Sequence, residues 1–267
     1  MDVNAIATEL LSALDDNRLV ETITSRDPGF DEATAYRVNA ELVRRRRARG
    51  ESPIGRKIGF TNRTIWDEYG VYSPIWAPVY HSTVTFLAEP RAELAIGHLS
   101  QPRIEPEIVL HFKYAPPSGQ DEAAILASID WIAHGFEIVQ SHMLDWKFKL
   151  ADTVADFALH GALVVGPPRP VTALPDLVAG LRGFSIALSR DGQVVARGGG
   201  SLVLDSPLLA LAHLITVLQG LPAFQPVQAG EIITTGTLTA AMPIQAGEMW
   251  STELQGLRLP GMNLRFR

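Results

Sequence analysis

The sequence predicts an α+β protein, with a helical N-terminal portion over residues 1–52 and a strand-rich domain over residues 53–267. Three features carry this expectation. Apolar residues recur at helical spacing at the start: Ile6, Leu10, Leu11 and Leu14, then Ala35, Val38 and Leu42. Gly50-Glu51-Ser52-Pro53 breaks that pattern. From residue 168 to the end, strand-like runs alternate with Gly/Pro turns, interrupted by one helix near Pro207–Leu218. Such strands suit a Greek-key or roll-like sheet.

In chain order, the first helix covers residues 3–15. The second starts near Asp31 and closes in Arg44-Arg45-Arg46-Arg47, where cations suit the negative end of the helix dipole; the run reads as a solvated terminus. Gly55 to Phe60 reads as a short strand with Lys57 between glycines. Asn62 to Tyr69 allows a helical turn, and a Pro/aromatic loop follows around Tyr72, Pro74, Trp76 and Pro78. Residues 82–113 read as strand, turn, strand. A helix is expected over 120–132, from Asp121 to Trp131, then a buried strand from His134 to Val139.

Hydrophobic residues make up 46% and charged residues 19%, the profile of a folded chain. The net charge of -6 disfavours nucleic acid, whose phosphates demand a basic surface. With no cysteine, disulfides, zinc–thiolate sites and thiol catalysis are excluded. The first residues lack the basic region of a secretory signal, and no apolar run is expected to cross a membrane, which takes about 18 or more residues. The expected location is the cytoplasm.

The chemistry centres on Arg103-Ile104-Glu105-Pro106-Glu107-Ile108. In a strand, alternate side chains share a face, so Glu105 and Glu107 stand about 6–7 Å apart along the backbone and point the same way. Paired buried carboxylates need neutralising, and a hard divalent cation does this; a charged edge strand that discourages pairing is the competing reading. Glu137, alone among apolar neighbours, makes a third ligand or else a buried salt bridge with a lysine. Three carboxylates suit Mg²⁺, Mn²⁺ or Ca²⁺ better than zinc or copper. Lys57 either holds a substrate carboxylate or enolate oxygen, or extends from a strand end into water. His134, His142 and His160 are proton carriers or satisfied polar groups.

These residues sit within motifs that resemble the fumarylacetoacetate hydrolase superfamily: Lys57-Ile58-Gly59-Phe60-Thr61, Ile104 to Ile108, Phe136 to Val139, Asp152 to Asp156, and Gly236 to Pro243. Within it, the chain is similar to the branch of 2-keto-4-pentenoate hydratases and 4-oxalocrotonate decarboxylases. The resemblance implies a mixed β-roll core, Mg²⁺ or Mn²⁺ on Glu105, Glu107 and Glu137, and Lys57 as the catalytic lysine. It implies a 2-oxo or 2-hydroxy-dienoic acid substrate from aromatic catabolism, a homo-oligomer, and association with a pathway enzyme. Hydration, decarboxylation, acylpyruvate carbon–carbon hydrolysis and a non-catalytic partner role all remain open.

The chain also departs from the family pattern. Ile75 stands where the hydratases usually carry aspartate, Phe157 and Leu159 fall in the usual Asp-Asn-Ala-Ser run, and Gln140 replaces a frequent acid. A substrate pocket lined by Ile75, Trp76, Gln140, Phe157 and Leu159 is therefore expected to be more apolar.

Overall fold

The computed structural model describes residues 2–119 and 121–267. Asp2 caps α1 (Val3–Asp16) by accepting from the Asn4 and Ala5 amides, and left-handed Asn17 ends it. A short α2 (Ile23–Arg26) leads to α3 (Glu32–Ala48), capped by Asp31 on the Thr34 amide. Arg44 and Arg45 pair with Glu41. Arg46 corrects the reading of a solvated run: it is buried, pairs with Glu51 at 2.6 Å and stacks 3.8 Å over the Tyr80 ring. A planar, weakly hydrated guanidinium tolerates burial when edge and face both have partners.

The chain then builds two sheets. β1 (Pro53–Gly59) and β2 (Ile75–Tyr80) are joined through α4 (Trp66–Tyr69). β3 (Val84–Phe86) and β4 (Arg91–Leu94) precede the long strands β5 (Arg103–Phe112) and β6 (Ile129–Val139), with α5 (Glu122–Ala127) between them. After α6 (Leu150–Ala155) come β7 (His160–Val165), β8 (Arg169–Pro170), α7 (Leu177–Gly183), β9 (Ser185–Arg190) and β10 (Gln193–Gly199). α8 (Pro207–Gln219), β11 (Ile232–Thr234), β12 (Met242–Pro243), β13 (Met249–Gln255) and β14 (Asn263–Phe266) complete the chain.

The larger sheet has the order β2-β1-β11-β5-β6-β7-β3, with β12 on β5 and β8 on β6; the smaller runs β10-β9-β13-β14-β4. Parallel pairs (β1·β11, β3·β7, β4·β14) mix with antiparallel ones. Ile104, Phe136 and Ile138 of the larger sheet pack on Leu188, Trp250 and Leu264 of the smaller. The N-terminal helices share one apolar cluster with β1, β2, α6 and α8.

The helix expected to reach Trp131 stops at Ala127; Gln120, at its start, lies outside the described residues. Ile129 already pairs with Phe112 and Trp131 with His111, so ladder pairing overrides the helical spacing there. Residues 200–219 are long and apolar enough to cross a membrane, with mean hydropathy 1.8, against the expectation that no run qualifies. Within the fold their helix is a core element, burying Leu208, Leu211, Leu214 and Leu218.

Candidate metal centre

β5 and β6 form the central antiparallel ladder, and its register sets Glu105 directly opposite Glu137 and Glu107 opposite Gly135. Alternation then puts all three carboxylates on one face. Each offers an oxygen within 4.8 Å of the others. Farther along this face lie Val109 and Ala133, in an apolar cluster with Val79, Leu163 and Ile232, so the glutamates stand at the edge of a low-dielectric strip.

Lys57 reaches the group from β1. Its ammonium donates to the Ala158 carbonyl at 2.9 Å and lies 3.2 Å from Glu137 Oε2. His160 Nδ1 lies 2.8 Å from Glu137 Oε1, and its Nε2 is 2.8 Å from Thr83 Oγ1. With both nitrogens engaged, His160 orients Glu137. The Gly236 amide donates to Glu107 Oε2 at 2.8 Å. Gly236 has φ +104°, and an added Cβ would fall 1.8 Å from Thr61 Oγ1, so only glycine delivers that amide. Glu107 Oε1 and Glu137 Oε2 are buried without a hydrogen-bond partner among the described residues. Glu107 Oε1 with no partner, and Glu137 Oε2 with only the Lys57 ammonium near it, fit a hard cation beside the third carboxyl.

Burial pushes Glu105 up to about 7 against the pull of Lys57, and burial with Glu137 beside it holds Glu107 well above the carboxylate range. Burial acts on Glu137 too, but Lys57 and His160 outweigh it and leave the carboxyl low. Burial disfavours the Lys57 ammonium, yet the three carboxylates together raise its pKa. Without a cation, Glu107 is therefore held as an acid and Glu105 is one below about pH 7, while Glu137 pairs with Lys57.

A pH dependence follows. A carboxyl raised in the folded state contributes stability that is complete below its unfolded value, about 4.3. That contribution is lost as pH rises through the folded value, about 7 for Glu105. Glu137, shifted down, has the opposite sign, and its contribution is lost only at lower pH. The cation-free protein should lose thermal stability between about pH 5 and 8. Added Mg²⁺ or Mn²⁺ should stabilise more as pH rises, because ligands must shed protons. Melting curves across pH, with and without chelator, measure this; a cation effect independent of pH would contradict it.

Beside the carboxylates lies a cleft lined by Lys57, Glu105, Phe60, Tyr69, Trp146 and Leu159, with a cavity volume of about 30 Å³. A larger groove, about 650 Å³, runs along Arg91, Glu93 and Arg265 and contains none of these groups. Phe60, Trp146, Ala158 and Leu159, all at the cleft, have left-handed backbones, with φ from +48° to +65°. Strained non-glycine backbone gathers where a ligand would sit.

The residues expected to bind substrate separate. Leu159 lines the cleft. Ile75 faces the Lys57 side from β2, opposite Gly59, and is buried there. Trp76 takes the other face of β2, stacked on Tyr36 at 5.7 Å and edge-on to Phe224, so strand alternation removes it from the site. Gln140 is turned away: its Oε1 accepts from the Ser100 amide, and its Nε2 lies 3.3 Å from the His160 carbonyl. Phe157 packs beside His142 and Arg46. His134 lies on the opposite face, bridging the Glu107 carbonyl and Thr252 Oγ1, with burial pushing it down to about 4. His142 pairs with Asp156 at 2.6 Å. The sequence reading did not place Tyr69 and Trp146 at the site, and both line the cleft.

A mixed sheet whose two central strands hold three converging carboxylates, with a lysine from a third strand, defines a carboxylate-platform fold. Residues 71–259 match the family model described as fumarylacetoacetate (FAA) hydrolase C-terminal, and the chain belongs to the fumarylacetoacetate hydrolase family. It is 33% identical to a 2-hydroxyhexa-2,4-dienoate hydratase of Comamonas testosteroni, covering 93% of this chain and 92% of that protein. It is 30% identical to a 4-oxalocrotonate decarboxylase of a Pseudomonas species, covering 96% of each. Among solved structures, the 4-oxalocrotonate decarboxylase of Pseudomonas putida G7, complexed with magnesium and adipate, superposes with a TM-score of 0.89 at 28% identity, over 99% of this chain and 97% of that one.

Proposed function

We propose that this chain is a metal-dependent lyase of the hydratase type acting on a 2-hydroxy-dienoate or related 2-oxo acid. The observation that carries the reading is the convergence of Glu105, Glu107 and Glu137 within 4.8 Å, beside an ammonium 3.2 Å from one of them. Hydratase and decarboxylase relatives, one solved with magnesium, support it. The three glutamates would hold Mg²⁺ or Mn²⁺, which supplies Lewis acidity to the C2 oxygen of the acid.

The remaining roles belong to the chain itself. Lys57, held by the Ala158 carbonyl, keeps its proton on Nζ and stabilises negative charge developing at the 2-oxygen. Val139, Leu159 and Ala241 line the cleft, exclude water and strengthen that interaction. Ile75 packs against the lysine side, where an aspartate would compete with Glu137 for the ammonium. Leu159 meets substrate directly, and Gln140 supports the turn that precedes β7.

Decarboxylation is the second reading, favoured by the similarity over nearly the whole chain to the decarboxylase structure; it needs the same stabilised enolate. Acylpyruvate hydrolysis is weaker, since His160 has no free ring nitrogen to activate water. Residues 1–52 and 53–267 are read as two portions of one folded unit around a β-roll, their shared core supporting that view. A cytoplasmic homo-oligomer associated with a pathway enzyme completes the proposal.

The test is an activity panel of dienoates, oxalocrotonates and acylpyruvates, each with Mg²⁺, with Mn²⁺ and with chelator. Cation-dependent turnover of a dienoate or oxalocrotonate by the purified chain is expected. Turnover only when a pathway enzyme is added would favour a non-catalytic partner role instead.

A further inference from the structure

We infer that Arg103 is a specificity residue that receives a second, distal carboxylate, so that the acid used at this site is a dicarboxylate. This rests on the 2-oxo acid reading above and deepens it. Arg103 and Glu105 are two apart on β5, hence on one face and about 6–7 Å apart along the backbone. The register repeats the point: Glu105 lies opposite Glu137, and Arg103 opposite Val139, which lines the cleft.

The guanidinium is held at the cleft by aromatic groups alone. Its Nη1 donates to the Tyr69 hydroxyl at 2.6 Å, and its carbon stands 4.2 Å from the Trp146 ring centroid. Both aromatics line the cleft. Among the described residues no carboxylate comes within 4.0 Å of it. The buried arginines elsewhere are neutralised, Arg46 by Glu51 and Arg56 by Glu231. Arg103 thus keeps its charge and most of its donor fork free, in the geometry that takes a carboxylate through paired hydrogen bonds. With the cleft opened beyond its volume of about 30 Å³, an acid with its oxo-carboxylate head at the glutamates would lay its middle along Val139 and Leu159 and its far end at this arginine.

The test compares two probes of equal length, 2-oxoadipate and 2-oxohexanoate, by calorimetry in saturating Mg²⁺. They differ only at the far end, a carboxylate against a methyl group. Wild type is expected to bind 2-oxoadipate about 10–100-fold tighter, the range of a charged hydrogen-bonded contact. Arg103→Gln should remove that preference while 2-oxohexanoate affinity stays within about two-fold, and Arg103→Lys should restore part of it. An undiminished Mg²⁺-induced rise in melting temperature in the variants would show that the metal centre is intact. Equal wild-type affinity for the two acids would overturn the inference, as would a Gln variant that weakens both alike. Wild type binding neither acid, despite a Mg²⁺-induced rise in melting temperature, would overturn the 2-oxo acid reading itself and the role of Arg103 with it.

Discussion

Replacing Glu107 with alanine is expected to give a folded protein that no longer responds to Mg²⁺ or Mn²⁺. Glu107 is fully buried, held as an acid by burial and by Glu137, and its Oε1 has no partner among the described residues. Its loss removes a ligand and one of three crowded carboxyls but takes the acceptor from the Gly236 amide, so the cation-free protein should still fold, less stable by about 1–3 kcal/mol. The response to metal should be lost as well. Wild type at about 100 times its dissociation constant gains about 2.7 kcal/mol from a bound ligand, and the variant should gain almost none. Melting curves with and without cation, beside calorimetric titration, read this directly. A normal affinity in the variant would refute the assignment of Glu107 as a ligand.

Lys57→Met is expected to separate metal binding from turnover. The ammonium is the cation closest to the carboxylates, fixed by the Ala158 carbonyl and Glu137. Removing one preorganised charge stabiliser typically lowers kcat about 10²–10³-fold, and that loss is expected here with KM little changed. Metal-free stability should also fall, by about 3–5 kcal/mol if Glu137 stays charged, because a buried charge loses its partner. Added cation should restore much of it. Lys57→Arg should fail to rescue turnover, since Nζ is fitted between the Ala158 carbonyl and Glu137 and a planar, wider guanidinium cannot take the same position. A methionine variant that retained wild-type kcat would remove Lys57 from the mechanism.

How much of this was legible in the sequence depended on the range of the interaction. The apolar stripes of α1 and α3 and the start of α3 near Asp31 are local, and they match the structure. The pairing of Glu105 with Glu107 is also local, a consequence of strand alternation. Their meeting with Glu137 is not, because it needs the β5–β6 register, which no single segment states; only its plausibility was visible. α5 was read too long for the same reason, since Ile129 and Trp131 fit a helix until β5 pairs with them. Trp76 was placed at the site because residues 75–80 were read as loop. As a strand they separate Ile75 from Trp76 at once. Gln140 and Phe157 followed from family resemblance, which locates a segment but not the direction of its side chains.

The run Phe157-Ala158-Leu159 carries a consequence for how this chain tolerates change. Three successive residues with side chains hold left-handed backbone, a state that costs about 1–2 kcal/mol per residue. Asparagine or glycine would adopt it with less strain, so phenylalanine and leucine are present for what their side chains do rather than for how the turn folds. Surrounding contacts must therefore hold the turn in place: Asp156 on His142 at its start, and Lys57 on the Ala158 carbonyl in its middle. Lys57 thus doubles as a fastener. Drift at position 57 is constrained twice, and positions 157 and 159 can vary in sequence only while that fastener stays closed.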